Sequence, residues 1–430
     1  MRQGLPQPVH LPHPSDSSCL YPGLPRTGRT SRRKISRRRW GYGMVVVAAL
    51  IAAGSSARAD QQITVNSPSD VVDASPGDRI CETAAGNGVC TLRAAIMEAN
   101  HTLSGTVSIQ VPASPVEYTL TIEAFGVDDE RTGDLNITRT VSIIGEGAAS
   151  TIINGNGTIT HDRAVSIARG ISVVLAGITV HNGRAGQVYG GGIYSVGTLT
   201  VTDSMISGNT AGESGGLIAN DGGTLTVTNS TISGNTAGFG GAGIYGAGPI
   251  TVTNSTISGN DAGNGGGGIL NVSTLTVVNS TISGNSTAGS SLGGGILGAG
   301  PLTVTNSTIS GNNATGSGGG IFSESSAALF NATIANNQAD ADFDGRGLGG
   351  GVYNDGGTIT FQNSHIAGNA ETIPCDGIVC PAGTYIPVTG ECGGSPITSN
   401  GNNMLVNFDT SHCVINGAGE DETGGRPHRN

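Results

Sequence analysis

The apolar positions of the chain from residue 193 onward recur in a short alternation. In "LTVTNSTISGN" (302–312), Leu302 and Val304 alternate with Thr303 and Thr305, and Ile309 follows between Thr308 and Ser310. The same string stands at 225–235, with near copies at 199–209, 250–260 and 275–285. A third piece, "GGGIY" in its first copy, sets one Ile before an aromatic. Period-two alternation predicts strands with one buried face. The intervening Gly, Asn, Ser and Ala offer no amphipathic stretch long enough for a helix.

Aligned on the residue after "TVT", the copies give Asp203, Asn229, Asn254, Asn279, Asn306, Asn331 and Asn363, in steps of 26, 25, 25, 27, 25 and 32 residues. Asn209, Asn235, Asn260, Asn285, Asn312, Asn337 and Asn369 keep the same steps, and so do the Ile and Val of the third piece. A fixed period of this length marks a solenoid. Leucine-rich repeats share the period but need a helix or a leucine framework. Three strands per coil of about 25 residues therefore predict an all-β parallel β-helix. In such a stack every position meets its own copy, about 4.8 Å away. Equivalent apolar residues then fill the core, and Asn amides can bond along the axis. Asp would not serve in such a ladder, because neighbouring charges repel by about 3 kcal/mol at an effective dielectric near 20. Only the first member, Asp203, is an Asp.

Composition adds the compartment. Arg37, Arg38 and Arg39 precede the apolar run 44–53 and "ARA" at 57–59, the layout of a secretory signal. That run is too short to span a bilayer. Residues 1–59 hold 10 of the 20 Lys and Arg and 1 of the 31 acids, so residues 60–430 carry 10 Arg, 30 acids and a net charge of −20. That acidic segment, without lysine, argues against nucleic acid and anionic membranes as partners. Of the seven cysteines, Cys19 falls in the leader. The remaining six suit an oxidising compartment. Cys81 and Cys90 form one close pair, and Cys375, Cys380, Cys392 and Cys413 leave three connectivities open.

The residues also resemble a known family. "GGGIY" with "ISGN" is similar to the repeats of chlamydial polymorphic outer-membrane proteins. "VCTLRAAIMEAN" (89–100), with the stretch from 63 that leads to it, resembles the signature of the CSLREA-domain proteins, with Thr91 and Ala94 as departures. That resemblance implies an exported right-handed β-helix with a cysteine-bearing C-terminal cap. Leu92, Ala95, Ile96 and Ala99 fall on one helical face and Thr91 suits an N-cap, so a short helix closing the N-terminal end is expected. The expected organisation is a leader (1–59), a cap with first strands (60–140), repeats (141–370), a disulfide-rich cap (371–417) and a flexible polar tail (418–430).

Candidate chemistry is sparse. Asp128, Asp129, Glu130 and Asp134 form an acid cluster, and His161, Asp162 and Arg163 a mixed triplet; neither carries a catalytic motif. Asp340, Asp342 and Asp344, before Gly345, fit the first positions of a calcium loop, although its twelfth position is Gly351 rather than Glu. Calcium is the one candidate cofactor. The residue after each inward Ile or Val should face outward. Tyr194, Tyr245, Leu270, Leu297, Phe322 and Tyr353 would then form an exposed stripe suited to a cell-surface glycan or a protein. The competing expectation is a stripe covered by neighbouring chain. Thr-x-Thr ranks on another face suggest ice binding as a distant alternative. The reading expected from the residues is an adhesin-like or structural interaction rod, extracellular, at the cell surface or in the periplasm, with no membrane span in the mature chain. Its rival is a polysaccharide lyase or glycoside hydrolase.

Overall fold

In a computed structural model the described residues are 61–424, apart from 103–104, 125–128, 187–188, 213–215, 290, 343–346, 375–384, 390, 402, 407–414 and 417–421. The leader therefore lies outside them. The fold is a right-handed parallel β-helix with about 26 residues per turn. The "LTVT" pieces stack into a 13-stranded sheet, the "STIS" pieces into a 12-stranded sheet and the "GGIY" pieces into a 10-stranded sheet.

Register follows the repeat. Leu199 pairs with Leu225, which pairs with Ile250, then Leu275 and Leu302. Ile206, Ile232, Ile257, Ile282 and Ile309 are likewise in line. Together with the Ile193 column they form one continuous core. A one-residue slip would turn each of these side chains to solvent, so burial enforces the register.

The turns explain the Asn ladders. Asp203, Asn229, Asn254, Asn279, Asn306, Asn331 and Asn363 all adopt φ near +50°. Asn and Asp tolerate this left-handed conformation better than other residues with a β-carbon. Their side chains bond along the corner, Asn229 Nδ2 donating to Asp203 Oδ1 at 3.2 Å and Asn254 to Asn229 Oδ1 at 3.3 Å. The Asp thus heads the ladder, where an acceptor suffices.

The second ladder is buried. Each of its Asn residues is at most 1% exposed. Asn260 Oδ1 accepts from both the backbone N–H and Nδ2 of Asn235, while Asn260 Nδ2 donates to Asn285 Oδ1 and Ile232 O. All of its amide valences are filled, which a buried polar column requires. The ladder ends on a carboxylate, with Asn369 Nδ2 donating to Glu391 Oε2 at 2.6 Å.

The expected N-terminal helix is α1, Leu92–His101, with Ala94 N donating to the Thr91 hydroxyl. It is buried on more than its apolar face. Arg93 pairs with Asp70 at 2.6 Å and donates to Gly133 O and Asp134 O. Both oxygens of Glu98 accept backbone N–H groups, from Gly77 and Arg79. Asp70 also accepts from Thr121 N and Ile122 N. Two buried charges therefore fasten the cap to the loops around it. The Cys81–Cys90 disulfide closes one of those loops.

Three features depart from expectation. A fourth, five-stranded sheet runs through the two-residue strands Arg184–Ala185, Thr210–Ala211, Thr236–Ala237, Asp261–Ala262 and Ser286–Thr287. The coil also continues past residue 370. Cys392–Gly394, Ile397–Ser399 and Met404–Val406 pair in parallel with the strands one coil earlier. Finally, Glu422–Gly424, expected within a flexible tail, pairs with Met404–Val406.

Candidate functional site

The outward residues of the "GGIY" sheet are in register, from Tyr194 through Ala219, Tyr245, Leu270, Leu297 and Phe322 to Tyr353. The expectation of a continuously exposed stripe is corrected for two of them: Leu270 is 8% and Phe322 3% exposed. Tyr194, Tyr245, Leu297 and Tyr353 are half-buried. The cover is the Gly-rich turn of the neighbouring coil. A β-carbon on Gly240 would collide with Leu270 Cδ1, and one on Gly265 with Leu297 Cδ1. These glycines let backbone lie directly on the stripe.

Two pairs of rings stack along this flank. Tyr189 stacks on Tyr245 with centroids 5.1 Å apart, and Phe322 stacks on Tyr353 at 5.1 Å and 8°. Tyr189 and Phe239, exposed within Gly-rich turns, extend the flank. Sequence reasoning missed both because they lie outside the periodic positions. The available signal was an aromatic beside a Gly run, in "VYGGG" and "GFGG".

Beside Tyr194 the coils gather charges that are distant in sequence. Arg163 Nε stands 3.6 Å from Asp134 Oδ2 and 3.7 Å from Asp162 Oδ1. Its guanidinium lies over the Tyr194 ring, 4.9 Å from the centroid. The Tyr194 phenol donates to Asp221 Oδ2 at 2.8 Å. Burial, then the Asp221 hydrogen bond and charge, push its pKa up to about 12. At neutral pH the phenol keeps its proton and acts as a donor.

The acid cluster and triplet are thus partly joined and partly dispersed. Asp134 and Asp162 meet at Arg163, and Asp134 N donates to Asp162 Oδ2. Glu130 accepts from Asn100 Nδ2 and lies 3.6 Å from His101. His161 turns towards Glu123, 3.9 Å away. Asp129 and Glu130 line a separate groove of about 310 Å³ with Arg131, Asn136 and Thr138. Asp128 lies outside the described residues.

The calcium-loop aspartates are differently placed from one another. Asp340 is buried with φ +53°, its N–H donating to Gly316 O and its carbonyl accepting from Thr372 Oγ1. Asp342 is exposed, and Asp344 lies outside the described residues. Among the described residues no group of three or more His, Cys, Asp or Glu is placed to hold a metal ion. Asp340 occupies a left-handed corner of the coil. Of the remaining cysteines, Cys392 is buried and disulfide-bonded; Cys375, Cys380 and Cys413 lie outside the described residues. No described helix is long and apolar enough to cross a membrane.

No curated protein sequence matches the chain. Among solved structures it is similar to the A-module of the mannuronan C-5 epimerase AlgE6 of Azotobacter vinelandii, at 15% identity over 77% of this chain and 92% of that one, with a TM-score of 0.42. At that likeness no residue role or activity is carried over. Residues 188–366 match the family model described as "Right handed beta helix region", the architecture that the stacked coils display.

Proposed function

We propose that the protein is an exported interaction rod that binds a cell-surface glycan through its aromatic flank, without catalysis. The observation that carries this reading is the pairing of rings along one flank, where exposed Tyr189 stacks on half-buried Tyr245 and buried Phe322 backs half-buried Tyr353. Aromatic residues are 4% of the chain, so their gathering on one flank is not a by-product of composition. Rings offer apolar faces to sugar C–H groups, and Tyr hydroxyls supply polar contacts. A carbohydrate-active enzyme is the second reading, favoured by the convergence of Asp134, Asp162, Arg163 and Tyr194. Against it, Arg163 is engaged by two carboxylates and Tyr194 holds its proton near neutrality. Such groups orient a ligand better than they exchange protons with it.

The test is binding of the purified chain to a glycan array and to cell surfaces, beside Tyr245→Ala and Tyr353→Ala. Loss of glycan binding in both variants supports the reading. Binding only to protease-sensitive surface sites would reassign the flank to a protein partner. Cleavage of a polysaccharide that Arg163→Gln abolishes would replace it with the enzymatic reading.

A further inference from the structure

A different face of the coils repeats just as regularly. On the outside of the 13-stranded sheet two columns run along the axis. One contains Thr200, Thr226, Thr251, Thr276 and Thr303; the other contains Thr202, Thr228, Thr253, Val278 and Thr305. Every member is half-buried except Thr251, which is exposed. The Thr202 hydroxyl meets Asp203 Oδ2 at 3.2 Å. The other Thr hydroxyls of the two columns find no partner among the described residues, so their hydrogen bonds go to water. We propose that this face binds ice.

The two columns form a mesh. Coils lie about 4.8 Å apart, and alternate residues of one strand lie about 6.6 Å apart. Parallel pairing in strict register repeats that cell over five coils, giving a two-dimensional lattice of hydroxyls and methyls. Its inner side is fixed, since Leu199, Val201, Leu225, Val227, Ile250 and Val252 are at most 1% exposed. β-Branched Thr also has restricted χ1, which limits the positions open to each hydroxyl and methyl. Water held by such a mesh is already ordered in two directions, and the ligand that shares such a repeat is a crystal. A single glycan chain repeats in one direction only.

Charge supports the assignment. From the paired Val174 and Ala176 to Thr360 and Gln362 neither column contains an ionisable side chain, in an acidic chain. Ionised groups would impose their own hydration and disrupt ice-like water. Val278 keeps the Thr shape and loses one hydroxyl. The "STIS" sheet is a natural control: its outward Thr231, Thr256, Thr281 and Thr308 alternate with Ser, which lacks the methyl and rotates more freely.

The experiment measures thermal hysteresis, ice-crystal shaping and partition into a slowly grown ice front, using the purified chain. The chain is expected to shape crystals and enrich in the ice. Thr228→Tyr with Thr251→Tyr should abolish both effects, whereas Thr256→Tyr on the control face should leave them intact. Val278→Thr, which completes the mesh, should increase the hysteresis and serves if the double variant fails to fold. Exclusion of the unmodified chain from ice would overturn the proposal. So would undiminished activity in the folded double variant, or no gain in Val278→Thr.

Discussion

Replacing Glu391 by Gln should stabilise the C-terminal coils at alkaline pH and flatten their pH dependence. Glu391 is 2% exposed and accepts from Asn369 Nδ2, while its Oε1 has no hydrogen-bond partner among the described residues. Burial is the main cause that raises its pKa from 4.5 to about 7, against the hydrogen bonds from Asn369. The folded state therefore binds this proton more tightly than the unfolded state. The associated stability is present in full below about pH 4.5, falls as pH rises towards 7, and changes little beyond. At 1.36 kcal/mol per pKa unit, the ionised form costs about 3 kcal/mol at pH 8. A neutral Gln keeps a carbonyl acceptor for Asn369 and avoids that charge. Urea unfolding at pH 5 and pH 8, with hydrogen exchange at the Asn369 and Val352 amides, reads the effect. Val352 N donates to Glu391 O, so its protection follows the same coil. No loss of protection in the unmodified chain between the two pH values, or the same slope in the Gln variant, would show that ionisation of Glu391 does not set the stability of these coils.

Other substitutions probe the remaining supports. Asn260→Asp removes the donor to Asn285 and buries a charge, with an expected loss of about 3–5 kcal/mol in urea unfolding. Arg93→Met leaves Asp70 buried without its partner and should cost about 3–5 kcal/mol; changing Asp70→Asn as well should recover part of it. Replacing Cys81 and Cys90 by Ser opens a loop with a sequence separation of 9, for a loss of about 2–3 kcal/mol. That loss should appear as earlier proteolysis of the N-terminal cap.

The repeating core was readable because alternation and period agree at Leu225, Val227 and Ile232, where burial, strand and stacking ask for the same residue. Other features had no such signal. Two-residue strands such as Thr236–Ala237 are too short for any periodicity. Gly240 and Gly265 read as loop, and nothing local says that their loop lies over Leu270 and Leu297. Arg93 and Glu98 lie off the apolar helical face and carry no local sign of burial; their partners come from Asp70, Gly77, Arg79, Gly133 and Asp134, brought in by the fold. The charged corner is a product of stacking, which brings Asp134, Arg163 and Tyr194 together from three segments. The Asn columns were legible as ladders, but their two environments were not. One occupies a left-handed exposed corner and the other a buried, fully bonded line.

The two ladders also have opposite polarity. Along the exposed corner the amides from Asn229 to Asn331 donate towards the N-terminus, finishing on Asp203; along the buried line those from Asn209 to Asn369 donate towards the C-terminus, finishing on Glu391. Each line stops at a residue that accepts without needing to donate, and everything between is interchangeable. The protein is therefore built like a length of material with two fixed ends. The strings at 225–235 and 302–312 are identical, so excising one and the chain up to the other would restore the same sentence and leave both terminators in place. Rod length can drift by loss or gain of whole coils during replication without a new stop having to evolve.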